Sequence, residues 1–178
     1  MNYFRKMRGT TTSPPRVSLS EIFWSWLGAF VGISLLAYLN YQVIKGTGWL
    51  LLTGSLGASA LLIYGAIKAP FSQPRNLLGG HILSALIGVC AYKLLSGHLW
   101  LASGLAVATS IAVMHATRTA HPPGSATALI AVIGDETIHD LGFLFIILPV
   151  AAGALILLLV ALILNNIPAS RRYPEYWF

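Results

Sequence analysis

The sequence predicts an all-α integral membrane protein, a helical bundle of about six hydrophobic segments in two repeats, each with an interrupted or half-length helix. Three observations predict it. Of 178 residues, 56% are hydrophobic and 9% charged, with mean hydropathy +0.75, whereas a soluble domain carries roughly 25% Asp, Glu, Lys and Arg. Several apolar runs approach the ~20 residues that cross a bilayer as a helix. The basic residues sit mainly at the ends of those runs. This composition excludes a disordered segment, a disulfide scaffold and an ordinary cytosolic enzyme. The single Cys90 reads as a small packing residue. Eleven Lys plus Arg against five Asp plus Glu give a formal charge of +6. The spacing of that charge along the chain reads as topology signals, not as the single basic surface of a nucleic-acid binder.

Residues 1–20, with Thr10 to Ser13 and Pro14-Pro15, read as a cytoplasmic tail, and Ser20-Glu21 as a helix start. The domain that follows is placed at 21–167, with repeat one at 21–95 and repeat two at 99–166. Ile22 to Asn40 is the first span; Phe23, Trp24 and Trp26 at its start and Tyr38 and Tyr41 at its end suit the two interfaces. Trp49 to Ala69 is interrupted in character by Gly54, Gly57 and Gly65 and ends at Pro70 and Pro74. Asn76 to Leu95 and Leu99 to Thr117 are the third and fourth segments. His121 to Gly134, opening with Pro122-Pro123, covers only about 21 Å as a helix, short of a bilayer core. Leu141 to Asn165 is the longest, with a kink expected at Pro149. Residues 168–178 read as a cytoplasmic tail with aromatic residues suited to a membrane surface.

Ala58-Ser59-Ala60-Leu61 is echoed by Ala126-Thr127-Ala128-Leu129, 68 residues later, and the same offset lays the third segment on the sixth. Both echoes fall in the abnormal segment of their half, as in transporter repeats with broken helices. If all six segments cross with the N-terminus cytoplasmic, nine basic residues lie inside and two, Lys45 and Lys93, outside. If the second and fifth segments instead dip in and return, leaving four full spans, the division is seven to four. The positive-inside rule favours six crossings, both termini cytoplasmic and inverted repeats.

The most informative stretch runs from Thr117 to Thr127. Prolines suit a first helical turn, so a helix is expected to start near Pro122 or Pro123, deep in the protein. The amides of Gly124, Ser125, Ala126 and Thr127 are then expected as free donors at the positive helix end, with Arg118 and His121 adding charge or donors. Free amides, a dipole and a cation make an anion site. The bland alternative places Arg118 at the interface and makes the prolines a simple break. In the first half, Gly54, Ser55, Gly57 and Ser59 form a second small, polar helix start that either presents amides or serves close packing. In Gln73-Pro74-Arg75-Asn76 and Gly79-Gly80-His81, Arg75 either meets phosphate headgroups or lines a vestibule. His81, about one and a half turns into its helix, is a site candidate or a hydrogen bond between helices. No histidine spacing suits a metal, no cofactor motif is present, and no carboxylate lies within an apolar span.

At His121-Pro122-Pro123-Gly124-Ser125-Ala126-Thr127 the sequence resembles the HPP family of integral membrane proteins. Gly54 to Ala60 and Gln73 to His81 are similar to two further stretches of that family, so the resemblance covers about residues 20–166. Ser125 stands where the family more usually has Gly; a small side chain is kept, with less backbone freedom. The resemblance implies four spanning helices, so six segments require two to be re-entrant. It also implies nitrite transport in nitrogen assimilation, as associated with cyanobacterial and chloroplast members. Many bacterial members carry a cytosolic tandem-CBS region. The sequence stops soon after Arg172, so the short cyanobacterial type, in a bacterial cytoplasmic membrane, is expected. Arg118, His121, the Gly124–Thr127 amides, His81, Arg75, Ser55 and Ser59 are the expected anion-binding residues, with Pro122, Pro123, Gly54 and Gly57 as helix breaks. The competing expectation is a non-transporting membrane sensor or assembly module. An enzyme is not expected, for want of a nucleophile–base pair; a homo-oligomer is allowed by the Gly-rich helix faces.

Overall fold

The computed structural model describes residues 3–178. Among them are seven helices: α1 (Leu19–Val43), α2 (Gly54–Gly65), α3 (Pro74–Leu95), α4 (Leu99–Ala116), α5 (Pro122–Ile133), α6 (Glu136–Leu141) and α7 (Ile146–Leu164). Four of these, α1, α3, α4 and α7, are long and apolar enough to cross a membrane, while α2 and α5 are 12 residues each. At 1.5 Å per residue the short pair extends about 18 Å. The half-helices therefore lie in the two segments that the glycines and prolines mark as abnormal. The protein is an α-helical, multi-pass membrane bundle.

Contacts at the two ends fix the chain directions. At one end Arg171 Nε lies 3.4 Å from Glu21 Oε2, and Arg171 Nη2 donates to the carbonyl of Tyr64 at 2.5 Å. Asn165 donates to Ile63 O at 2.8 Å, Tyr173 Oη to Ser72 O at 2.7 Å, and Arg75 to Thr117 O at 2.7 Å. The start of α1, the end of α2, the start of α3 and the ends of α4 and α7 thus share this end with both chain tails. At the other end the Tyr92 ring stacks on His139 at 3.7 Å, Lys93 lies 5.6 Å from the Phe143 ring, and Trp49 faces Leu141, Leu144 and Leu148. Direction alternates through all six apolar segments, so α2 and α5 do not return to the side from which they came. Extended backbone leads into each: Thr53 (φ −124°, ψ 155°) caps α2 and His121 (φ −142°, ψ 102°) caps α5.

Helix endings follow local chemistry. Ser18 caps α1 by accepting from the Glu21 N–H at 3.2 Å, a short polar side chain satisfying an orphan donor. Pro74 and Pro122-Pro123 occupy first-turn positions, where the missing N–H is no loss. Near Pro149 the kink appears as non-helical backbone at Leu148 (φ −125°, ψ 122°). Close approach depends on glycine at two seams. Side chains at Gly28 and Gly32 of α1 would collide with Tyr64, whose hydroxyl donates to Leu157 O at 3.0 Å. On α3, Gly80 faces His121 Cβ, and Gly88 faces the backbone of Ala128 on α5.

Residues 168–178 are not a loose surface tail. Arg171 is 6% exposed and Tyr173 2%; the first ties α1 to α2 and the second reaches the turn before α3. Burial lowers the Arg171 guanidinium below its ordinary value, opposed by Glu21, and burial raises the Tyr173 phenol. Trp177 and Phe178 join Arg75, Leu78 and Thr119 around a cavity of about 600 Å³.

Candidate functional site

Three buried side chains from three elements converge inside the bundle. Ser59 Oγ, in the middle of α2, lies 2.7 Å from His81 Nε2 on α3 and 2.8 Å from His121 Nε2 at the start of α5. The far nitrogen of His81 meets Thr127 Oγ1 at 2.7 Å; that of His121 meets the carbonyl of Phe71 at 2.7 Å. Ser59, His81, His121 and Thr127 are all 0% exposed, and the two imidazoles are 4.9 Å apart, tilted by 57°. Ser59 Oγ also lies 3.1 Å from the Ser55 carbonyl, and Thr127 Oγ1 3.3 Å from that of Pro123.

Local sequence explains the convergence. The prolines leave His121 in extended backbone as the cap of α5, so its ring projects sideways from a chain end instead of along a helix surface. Gly80 admits it, because a side chain there would meet His121 Cβ at 2.6 Å. Gly124 lies against the Gly80 carbonyl, 2.7 Å from where a Cβ would stand. On the other side Ser59 and Thr127, 68 residues apart like the starts of their helices, bracket His81 with two repeat-related hydroxyls. A polar column extends this cluster: Ser55 Oγ lies 3.1 Å from Thr53 Oγ1, and Ser84, one turn beyond His81, is fully buried with no partner on its Oγ.

Beside His121 a cavity of about 400 Å³ is lined by Phe71, Met114, His115, Ala120, Pro122 and Ser125. Ser125 and Ala126 are half-buried. Thus His121, His81, Ser59, Ser55, Thr127, Gly124 and Ser125 come together on or beside one buried cluster.

Other expected residues fall elsewhere. Arg118 is exposed and sits in left-handed backbone (φ 57°), which turns its side chain out of the bundle; it is not part of the buried site. Arg75 is half-buried and spans to the Thr117 carbonyl, away from the histidines. The expected free amides of α5 are also corrected. Two of its first-turn positions are prolines without N–H, and Gly124 N bonds back to His121 O at 2.8 Å. Ala126 and Thr127 lie within the regular helix, where each N–H has a carbonyl four residues back, whereas the carbonyl four back from Ser125 is that of His121, which Gly124 N takes. Gly57 is no break: it lies inside α2, exposed, with open space where a Cβ would stand. Gly54, the first residue of α2, faces equally open space.

Ser84, Thr53 and Asn76 were not among the expected site residues. Asn76 donates to Ala120 O at 2.8 Å and so holds the chain entering α5. Ser84 lies three positions after His81, the spacing that puts two residues on one helix face, and that is the sequence signal for it.

The sequence that builds this arrangement is similar to known proteins. A family model described as HPP, transmembrane region, matches residues 14–174. Two transmembrane proteins of Dictyostelium discoideum are similar along all of this chain. One is 46% identical over 181 residues, covering 58% of the relative, and the other 44% over 183 residues, covering 64%. The chain thus spans less than two thirds of the length of either relative. No solved structure matches. With the His-Pro-Pro cap at the centre of its buried cluster and the match running through every apolar segment, the chain belongs to the HPP transmembrane family.

Proposed function

We propose that this protein is a transporter, not an enzyme, that moves nitrite or a similar small monovalent anion along the α2–α3–α5 interface. The observation that carries the reading is the buried Ser59–His81–His121 cluster, set where two half-helices overlap and beside a cavity of about 400 Å³. Polar groups at that depth cost desolvation that an apolar core avoids, and ionisable side chains within a membrane bundle mark solute pathways by default. The Ser125 hydroxyl on the cavity wall donates to a nitrite oxygen without the grip of a permanently charged buried side chain. Binding of that strength permits release, which conduction requires.

Nine of the eleven basic residues lie at the end that holds both termini, and Asp135, Glu136 and Asp140 at the other. By the positive-inside rule the terminal end is cytoplasmic. Its charge raises the local anion concentration, the role we assign to Arg118 and Arg75. A bacterial cytoplasmic membrane rests on the resemblance to cyanobacterial members; the two relatives above come from Dictyostelium. Partners in this reading are the bilayer, the anion and a second copy of the chain, which the open faces of Gly54, Gly57 and Gly104 admit. Nucleic acid is not among them.

The test is flux into proteoliposomes holding the purified protein, with nitrite compared against nitrate, formate and chloride. Saturable uptake that prefers nitrite is expected. Absence of flux for every anion, from protein shown to be folded, overturns the reading and leaves a non-transporting sensor or assembly module.

A further inference from the structure

Hydrogen-bond accounting in the buried cluster assigns its protons. A carbonyl only accepts, so His121 Nδ1 carries the hydrogen shared with Phe71 O. In neutral His121, Nε2 is then bare, and pairing it draws the single hydroxyl hydrogen of Ser59 away from the Ser55 carbonyl at 3.1 Å to the ring at 2.8 Å. With that hydrogen used, Ser59 Oγ accepts from His81, which is the Nε2–H tautomer, and His81 Nδ1 accepts from the Thr127 hydroxyl. The neutral cluster is therefore one directed chain, Thr127 to His81 to Ser59 to His121 to Phe71, with every imidazole nitrogen paired.

A second arrangement holds one proton more and also pairs every group. Protonated at Nε2, His121 donates to Ser59 Oγ, Ser59 donates to His81 Nε2, His81 Nδ1–H donates to Thr127, and Thr127 turns its hydroxyl to Pro123 O at 3.3 Å. From there His121 passes its Nε2 proton to Ser59 Oγ while the Ser59 hydrogen moves to His81 Nε2. No atom is gained or lost, and the charge has moved from the imidazole beside the cavity to the one deeper in the bundle. Both arrangements use separations already present: a proton added at Thr127 Oγ1 turns the first into the second, as the Thr127 hydrogen moves to His81 Nδ1, the His81 Nε2 hydrogen to Ser59 Oγ and the Ser59 hydrogen to His121 Nε2, with no movement of helices.

We propose that His121, Ser59 and His81 form a proton relay, and that one proton crosses with each anion. The coupling rests on the transport reading above; the relay itself rests on the geometry. The surroundings suit it. Of the elements packed against the two rings, α2 contributes no titratable group closer than Tyr64, α5 and α7 contribute none, α3 adds Arg75 at its start and Cys90, Tyr92 and Lys93 toward its far end, and α4 adds His115 on the cavity wall. No carboxylate faces the rings, so a proton arriving at His121 has no fixed counter-charge there. A monovalent anion in the adjoining cavity supplies one.

The experiment uses proteoliposomes with a trapped pH dye, a nitrite gradient and a potassium–valinomycin clamp, with protein-free liposomes as the baseline for nitrous acid leakage. The expected result is one proton taken up per nitrite, at a rate independent of membrane potential. Nitrite uptake without proton uptake, accelerated by an inside-positive potential, overturns the relay and leaves the transport reading standing. Proton flux without nitrite flux overturns the transport reading and leaves the relay. His81→Gln keeps an amide donor to Ser59 but accepts no proton, and Ser59→Ala removes the link; in each, proton uptake is expected to fall to the protein-free baseline. Wild-type coupling in both variants overturns the relay. Independently of transport and of variant folding, ¹⁵N spectra of histidine-labelled wild-type protein are expected to show His81 as the Nε2–H tautomer and His121 as the Nδ1–H tautomer. The same tautomer on both rings overturns it.

Discussion

The two half-helices are the same length and begin 68 residues apart, yet they do different things. Thr53 caps α2 where His121 caps α5, and Ser59 matches Thr127. Gly54 and Ser55, the first two residues of α2, stand where α5 has Pro122 and Pro123. So α2 retains two first-turn N–H groups that α5 lacks, and α5 offers an imidazole that α2 lacks. Packing diverges in the same way. Gly124 on α5 is buried against Gly80, whereas Gly54 and Gly57 on α2 face open space. The two half-helices share their length and a hydroxyl that meets His81, and divide donor chemistry between backbone on one side and side chain on the other.

The largest expected effect comes from deleting the feature peculiar to α5. His121→Ala takes one of the three partners from Ser59, removes the donor to the Phe71 carbonyl and empties the wall between cluster and cavity; nitrite uptake in proteoliposomes is expected to fall to the protein-free baseline. The packing contrast predicts opposite signs for one substitution. Gly124→Ala pushes a methyl to 2.7 Å from the Gly80 carbonyl and should destabilise by about 1–3 kcal/mol, the usual cost of overpacking. Gly57→Ala meets nothing within 4 Å and should stabilise by about 0.4–1 kcal/mol, through lower entropy of the unfolded chain. Thermal unfolding in detergent reads both, and equal signs would break the contrast.

A third prediction makes α2 resemble α5. Gly54→Pro removes one first-turn N–H, and Thr53 already has the extended backbone that a residue before proline requires (φ −124°, ψ 155°). The helix should form as before. If that N–H binds the anion, the KM for nitrite rises roughly 2- to 12-fold, as expected for a hydrogen bond worth about 0.5–1.5 kcal/mol. An unchanged KM removes the backbone of α2 from the path.

What was legible in the sequence was local. Prolines at 122 and 123 marked a helix start to within a residue, and the small-residue echo fell inside both half-helices. The partners of the histidines were not legible as a set. Ser59, His81 and His121 are 22 and 62 residues apart in their contacts, and only the seams at Gly80 and Gly124 bring them together. The amides of α5 were misread by counting helix-end donors without subtracting the prolines and the back-bond of Gly124. Arg171 looked like a topology signal because spacing alone cannot tell a charge at a membrane surface from one folded back onto Glu21 and the Tyr64 carbonyl.

Arg118 gives the smallest expected effect and separates a site residue from a steering charge. Sequence pattern put it in the anion site, where its loss would abolish uptake. In the fold it is exposed, in left-handed backbone at φ 57°, which costs an L-residue about 1–2 kcal/mol. Arg118→Gly relieves that strain and should raise stability by up to about 1 kcal/mol. The same variant removes one of nine cations at its end of the bundle, so nitrite uptake should fall modestly at low ionic strength. At about 1 M salt, where the screening length is roughly 3 Å, wild type and variant should transport alike. A loss that persists at high salt would return Arg118 to the binding site, and would mean that the connection from α4 to α5 folds inward when the anion arrives.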